Sequence, residues 1–327
     1  MDTHALDRQV SVAPMMDWTD RHERYFLRII SKRILLYTEM ITTGAIIHGN
    51  REYLLGYDDT EHPLALQLGG SDPKELAECA KVGEGFGFDE INLNLGCPSD
   101  RVQSGHFGAC LMAEPELVAR CIGAMQEAVR IPVTVKTRTG IDDQDSYEEL
   151  AQFVSQISEA GCKVFVIHAR KALLDGLSPR ENREIPPLRY DMVYRIKEEF
   201  PDLCVVINGG IKTIDEIREQ ICSVDGAMVG REAYENPYFL ATVDQELYGD
   251  EYPVKTRQEI VAEFEDYVQA KLETGVRFMS IARHIMGLYR GMPGARSWRR
   301  HLGENGTLPG AGVEILRGAA KFVPENV

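Results

Sequence analysis

Between residue 10 and about residue 240, short apolar runs alternate with longer segments whose apolar residues recur three and four positions apart. The runs Ser11–Pro14, Leu35–Glu39, Leu64–Leu68, Glu90–Leu95, Val133–Lys136, Val164–His168, Cys204–Asn208 and Gly226–Val229 read as β-strands. Helix-sized segments separate most of them. Ser71-Asp72-Pro73 supplies an N-cap candidate and a first-turn proline ahead of Leu76 and Cys79. Asp145 or Ser146 caps a helix carrying Leu150, Phe153, Val154 and Ile157. Strands that alternate with helices pair in parallel through crossovers. Eight such units in this length predict an α/β fold, a (β/α)8 TIM barrel. A doubly wound open sheet is the alternative. It usually carries a Gly-rich loop after its first strand, where this chain has Val12-Ala13-Pro14-Met15-Met16.

Beyond residue 242 the strand-like runs disappear. Thr256–Glu273 and Ser280–Tyr289 read as helices, and Gly312–Phe322 as a weaker one. The expected organisation is a barrel domain over residues 1–242 and a smaller helical domain over 243–327.

Composition narrows the classes of function. The chain is 44% hydrophobic and 27% charged, which excludes disordered, collagen-like and disulfide-scaffold classes. A net charge of −15 argues against indiscriminate binding to polyanions or anionic membranes. Yet from Thr274 to Gly303 there is no Asp or Glu, while Arg277, Arg283, Arg290, Arg296, Arg299 and Arg300 are present. Such a segregated basic stretch is what nucleic-acid binding requires. Tyr289 and Trp298 are interleaved with it, suited either to stacking on bases or to the core. Seven cysteines without a C-x-x-C pair make neither a disulfide framework nor a zinc site, so no metal is expected. Met1 to Arg8 lacks the basic start and apolar run of a secretion signal, and no apolar run is long enough to span a bilayer. A soluble cytoplasmic protein with reduced thiols and no membrane partner is expected, as a monomer.

In a barrel the site lies at the C-terminal strand ends. There stand Pro14-Met15-Met16, Glu39, Gln67, Asn92 and Asn94 with Gly96-Cys97-Pro98, Lys136 and Arg138, His168, Asn208-Gly209-Gly210, and Gly230-Arg231. Asn92 and Asn94 share one strand face, as do Thr134 and Lys136. Buried polar groups need partners, either one another or a ligand rich in hydrogen-bonding groups. The glycines after strands seven and eight, with Arg231, suit a phosphate held by backbone N–H groups. A buried Lys136 needs a partner, either Glu39 or a ligand edge such as the flavin N1/C2=O, which gains negative charge on reduction. His168 either bonds a carbonyl or phosphate or is a satisfied core histidine. Cys97, in a loop leaving a strand, suits thiol acid–base work. Cys110 is the competing loop thiol, whereas the other five cysteines lie where small buried hydrophobes belong.

In order and spacing, Ala13-Pro14-Met15-Met16-Asp17, Gln67-Leu68-Gly69-Gly70, Asn92-Leu93-Asn94-Leu95-Gly96-Cys97-Pro98, Lys136-Thr137-Arg138, His168-Ala169-Arg170, Asn208-Gly209-Gly210 and Gly230-Arg231 resemble the tRNA-dihydrouridine synthases. The pattern is similar to that of the A subfamily, which modifies uridines 20 and 20a in the tRNA D-loop. The resemblance implies a flavin mononucleotide (FMN) across the barrel mouth, reduced by NADPH. Pro14, Met15 and Met16 would line its ring, and Gln67, Lys136 and His168 would contact it. Asn208, Gly209, Gly210, Gly230 and Arg231 would hold its phosphate. Cys97 would be the general acid that protonates uracil C5 after hydride addition at C6, and Asn94 would hold the target nucleotide. Arg180 with Arg183, and Arg296 with Arg299, would orient the tRNA. Two other classes compete: a barrel flavoenzyme for a small molecule, such as a dihydroorotate dehydrogenase or enoate reductase, and a non-catalytic RNA-binding barrel. The first leaves the arginine-rich tail unexplained, and the second leaves Cys97, Lys136 and His168 unexplained.

Overall fold

Eight parallel strands ring a common axis in the computed structural model, which describes residues 6–324. They are β1 (Val10–Val12), β2 (Leu36–Thr42), β3 (Leu64–Gly69), β4 (Glu90–Leu95), β5 (Val133–Arg138), β6 (Val164–His168), β7 (Cys204–Asn208) and β8 (Gly226–Val229). Each pairs with the next from β2 to β8, and β8 pairs with β1. The remaining seam is bridged where Val12 N donates to Leu35 O at 3.0 Å and Leu35 N to Val10 O at 3.1 Å. This is the expected (β/α)8 barrel, not the open sheet. Strand β1 stops before Pro14, which has no N–H for a ladder. Strand β2 runs on to Thr42 through an irregularity between Tyr37 and Met40, where the Thr38 hydroxyl accepts from Gln67 N at 3.0 Å. Residues 1–5, the start of the stretch read for a secretion signal, and 325–327, the end of the helical region, lie outside the described residues. Among the described residues no helix is long and apolar enough to cross a membrane.

The barrel interior divides by strand. Ala13, Leu35, Tyr37, Ala65, Val166, Val206 and Met228 form an apolar cluster. On β3, β4 and β5 the inward positions are polar, and Gln67, Glu90, Asn92 and Thr134 are all buried. The outer helices follow their sequence signals. Asp72 caps Pro73–Phe86 by accepting from Lys74 and Glu75 N–H, and Gly87 ends that helix in the left-handed region at φ 95°. Ser146, rather than Asp145, caps Tyr147–Glu159 in a reciprocal box with Glu149.

Two compact units emerge. One comprises the residues up to Met16, Leu35–Ile211 and Asp215–Gly230; the other comprises Asp17–Ile34, Lys212–Ile214 and everything from Arg231. The division therefore does not follow a single cut after residue 242. Helix Arg21–Ile30 belongs to the second unit because its aromatic side chains meet those of Arg257–Glu273: Tyr25 stacks on Tyr267 at 3.9 Å and Phe26 packs on Phe264 at 5.2 Å. The same unit holds Phe278–Ala282, Ala295–Asn305 and Val313–Ala320. Helix Ala295–Asn305 has no counterpart among the expected elements. Tyr289 and Trp298 are fully buried, 4.8 Å apart, so both are core residues and neither is available to stack on a base.

Candidate active site

Register assembles the strand ends into one rim. Asn92 lies beside Thr134 and Asn94 beside Lys136; Arg138 lies beside His168, and His168 beside Asn208. Side chains two apart on a strand share a face, so these rows stack as layers up the barrel.

The Cys97 loop is fixed from two sides. Asn94 Oδ1 accepts from the backbone amides of Gly96 at 3.2 Å and Cys97 at 3.0 Å. Buried Arg138 donates from Nε to Gly96 O at 2.8 Å and from Nη1 to Asn182 O at 2.9 Å, tying this loop to the one after β6. The thiol is half-buried and lies 3.6 Å from the Ser99 hydroxyl. Cys110 is also half-buried; its thiol bonds Phe107 O, and burial, followed by the nearby Glu114, pushes its pKa up. Gln67 and the asparagines do bond one another: Gln67 Nε2 donates to Asn92 Oδ1 and Asn94 Nδ2 to Gln67 Oε1, both at 2.8 Å. Each amide nitrogen uses one of its two hydrogens in this way.

Lys136 Nζ donates to Asn208 Oδ1 at 3.0 Å, so the alternative salt bridge to Glu39 is not formed. Asn208 is itself oriented by donating from Nδ2 to Met228 O at 2.7 Å. Burial, reinforced by the Arg138 charge, pulls the Lys136 pKa down to about 7. Burial and then the charges of Arg138 and Lys136 hold His168 well below the ordinary histidine value, so its ring is neutral. Neither ring nitrogen of His168 has a hydrogen-bond partner among the described residues. Neither nitrogen is among the atoms shut away from solvent without a partner, so a donor and an acceptor stand open to a ligand.

The turn after β7 requires its glycines. Gly209 at φ 118° and Gly210 at φ 77° occupy the left-handed region, and a Cβ on Gly209 would fall 2.6 Å from His168 Cδ2. At Gly230 a Cβ would meet only Ala13 Cβ, at 4.0 Å, so that side of the rim is open. Arg231 begins the short helix Arg231–Glu235 directly after Gly230. Pro14 and Met15 are half-buried behind β1, and Met16 is 57% exposed.

The arginines separate by unit. In the barrel unit, Arg180 and Arg183 are exposed and flank buried Asn182, whose side chain ties the loop to Leu173 through both of its ends. In the helical unit, Arg296, Arg299 and Arg300 lie on the exposed face of Ala295–Asn305, opposite Ala295, Trp298 and Leu302. Arg283 pairs with Asp20 at 2.6 Å, and Arg290 with Glu235 at 3.3 Å and Glu232 at 3.4 Å. Arg277, Arg296, Arg299 and Arg300 have no ion-pair partner among the described residues. The structure gives roles at the site to Arg138 and Thr134, both already named from their strand, and adds Glu90 and Asn182. The alternation Glu90-Asn92-Asn94 and Thr134-Lys136-Arg138 was the signal for three of them.

A family model described as dihydrouridine synthase matches residues 11–321. The chain is 59% identical over 326 residues to the tRNA-dihydrouridine(20/20a) synthase of Vibrio parahaemolyticus, covering 99% of each. It is 58% identical over 326 residues to the protein of that name from Shewanella oneidensis, covering 100% of this chain and 97% of the relative. The Escherichia coli K12 protein of that name is 57% identical over 326 residues, covering 99% and 94%.

Proposed function

Because the chain belongs to the dihydrouridine synthase family and its relatives are named tRNA-dihydrouridine(20/20a) synthases, we propose that it makes dihydrouridine at positions 20 and 20a of tRNA, by reducing the C5=C6 bond of those D-loop uridines. The observation that carries this reading is the pinned Cys97 loop beside Lys136 and the unpartnered His168 ring. FMN, when bound, would supply the hydride that uracil C6 receives, with NADPH as the source of its electrons. The residues at the rim fit such a group. Lys136 and His168 offer a cation and free ring nitrogens to its carbonyl edge, and Gln67 retains a second Nε2 hydrogen. Asn208, the left-handed turn at Gly209-Gly210, and the space at Gly230 suit a phosphate, with Arg231 adding charge. Pro14, Met15 and Met16 supply an apolar edge for the ring.

Hydride addition at C6 leaves negative charge toward C5 and O4 of the uracil. Cys97 Sγ then donates its proton to C5, completing the addition of two hydrogens. Asn94, with one Nδ2 hydrogen left, holds the nucleotide. The uridine must leave the D-loop stack to reach the rim, at a cost of a few kcal/mol. Contacts from Arg180, Arg183, Arg296 and Arg299 to tRNA phosphates offset that cost. The barrel is the flavin-binding unit and the helical unit a tRNA-binding one, in a cytoplasmic monomer. The test is Cys97→Ala, with the two half-reactions measured separately. Oxidation of the reduced flavoprotein by tRNA should slow by about 10²–10⁴-fold, the typical share of a general acid. Flavin reduction by NADPH should not change. Equal slowing of both half-reactions would remove Cys97 from the role.

A further inference from the structure

The amides beneath Cys97 form a chain with one direction. At its foot, Glu90 is fully buried and accepts from Arg8 Nε at 3.0 Å, Tyr37 OH at 2.8 Å and Thr134 Oγ1 at 2.6 Å. With its proton committed to a carboxylate, the Thr134 hydroxyl can only accept from Asn92 Nδ2, at 2.9 Å. Asn92 must then turn Oδ1 to Gln67 Nε2, and Gln67 must turn Oε1 to Asn94 Nδ2. Asn94 is left with Oδ1 facing the Gly96 and Cys97 amides. If the direction were reversed, every amide would flip and Asn94 would aim a donor at two N–H groups. Glu90 pairs with the Arg8 guanidinium and accepts on both oxygens, from Arg8, Tyr37 and Thr134, so it offers Thr134 no donor and excludes that state.

We propose that Glu90 and Thr134 are positioning residues. The carboxylate sets the direction of the Thr134–Asn92–Gln67–Asn94 chain, and that chain holds the Gly96–Cys97 backbone and with it the thiol. The inference rests on the reading of Cys97 as the proton donor for its catalytic consequence, but not for its structural one. The test therefore measures both in the full-length protein. Thr134→Val keeps the shape and removes the relay hydroxyl, whereas Thr134→Ser restores it. Hydrogen exchange at the Gly96 and Cys97 amides should accelerate about tenfold in T134V, the loss of one ordinary hydrogen bond, and return to the parent rate in T134S. For the loaded enzyme, kcat for tRNA should fall about tenfold in T134V, with KM for tRNA and flavin reduction by NADPH unchanged. Asn92→Leu, which cuts the chain in its middle, should accelerate the same two amides and serves if T134V does not fold. Unchanged exchange in both T134V and N92L, or no rescue in T134S, would overturn the proposal. Faster exchange with unaltered kcat would support the chain and instead remove Cys97 from its proposed role.

Discussion

A lysine ammonium drawn out of water loses hydration that a single amide oxygen restores only in part. Lys136 is in that position: its partner is neutral Asn208, its charged neighbour is another cation, and its pKa is pulled down to about 7. In the unfolded chain it returns to about 10.4. Between those values the unfolded state holds more protons than the folded one, so stability rises with pH across that window. Below about pH 7 both states are protonated and the cost of burial is fully present. Lys136→Met should therefore raise the Tm of the flavin-free protein at pH 6 by a few degrees, at about 2 °C per kcal/mol for a large domain. The gain should shrink toward zero by pH 10. Paired melting curves across pH check this, and a gain independent of pH would contradict burial of the charge as its source. The same substitution should weaken FMN binding about tenfold or more, since a charge-assisted hydrogen bond is lost.

The strand-end turns separate a glycine required by the backbone from one required by space. Gly209→Ala would force a left-handed alanine against His168, costing about 1–3 kcal/mol and displacing that ring. Gly230→Ala meets nothing closer than 4.0 Å, so its stability change should stay within about 0.5 kcal/mol. Tm and flavin affinity measured together distinguish them: G209A should lose both, and G230A affinity alone. If G230A binds FMN like the parent protein, that turn does not face the phosphate. Elements of this kind were legible beforehand wherever an apolar run ended in polar residues, which is why Cys97, Lys136 and His168 could be placed at strand ends. Helix Ala295–Asn305 was not legible, because only Ala295, Trp298 and Leu302 face the core and four basic residues dilute their periodicity. Nor does chain order reveal that Arg21–Ile30 joins the helical unit, since that depends on rings far apart in sequence packing face to face. The choice of Asn208 over Glu39 for Lys136 is likewise a matter of register, which single-strand patterns leave open.

At the scale of the whole molecule, a chain of net charge −15 repels tRNA unless its cations are placed and left unneutralised. The basic stretch divides on that criterion: Arg283 and Arg290 face carboxylates, whereas Arg277, Arg296, Arg299 and Arg300 form no ion pair among the described residues. Only the second group can displace counterions from phosphates. Arg296→Glu with Arg299→Glu should weaken tRNA binding and flatten its salt dependence, by a slope of roughly 0.7–0.9 for each phosphate no longer neutralised. Net charge alone would also weaken binding, so a second variant carries the same change elsewhere. Lys74→Glu with Lys81→Glu, on the exposed side of Pro73–Phe86, matches it charge for charge. Titrations over a range of salt should then show a flattened slope for the arginine pair and the parent slope for the lysine pair. If both pairs weaken binding alike, long-range repulsion governs the encounter and the arginine face holds no phosphate. If neither does, the tRNA is held by other residues altogether.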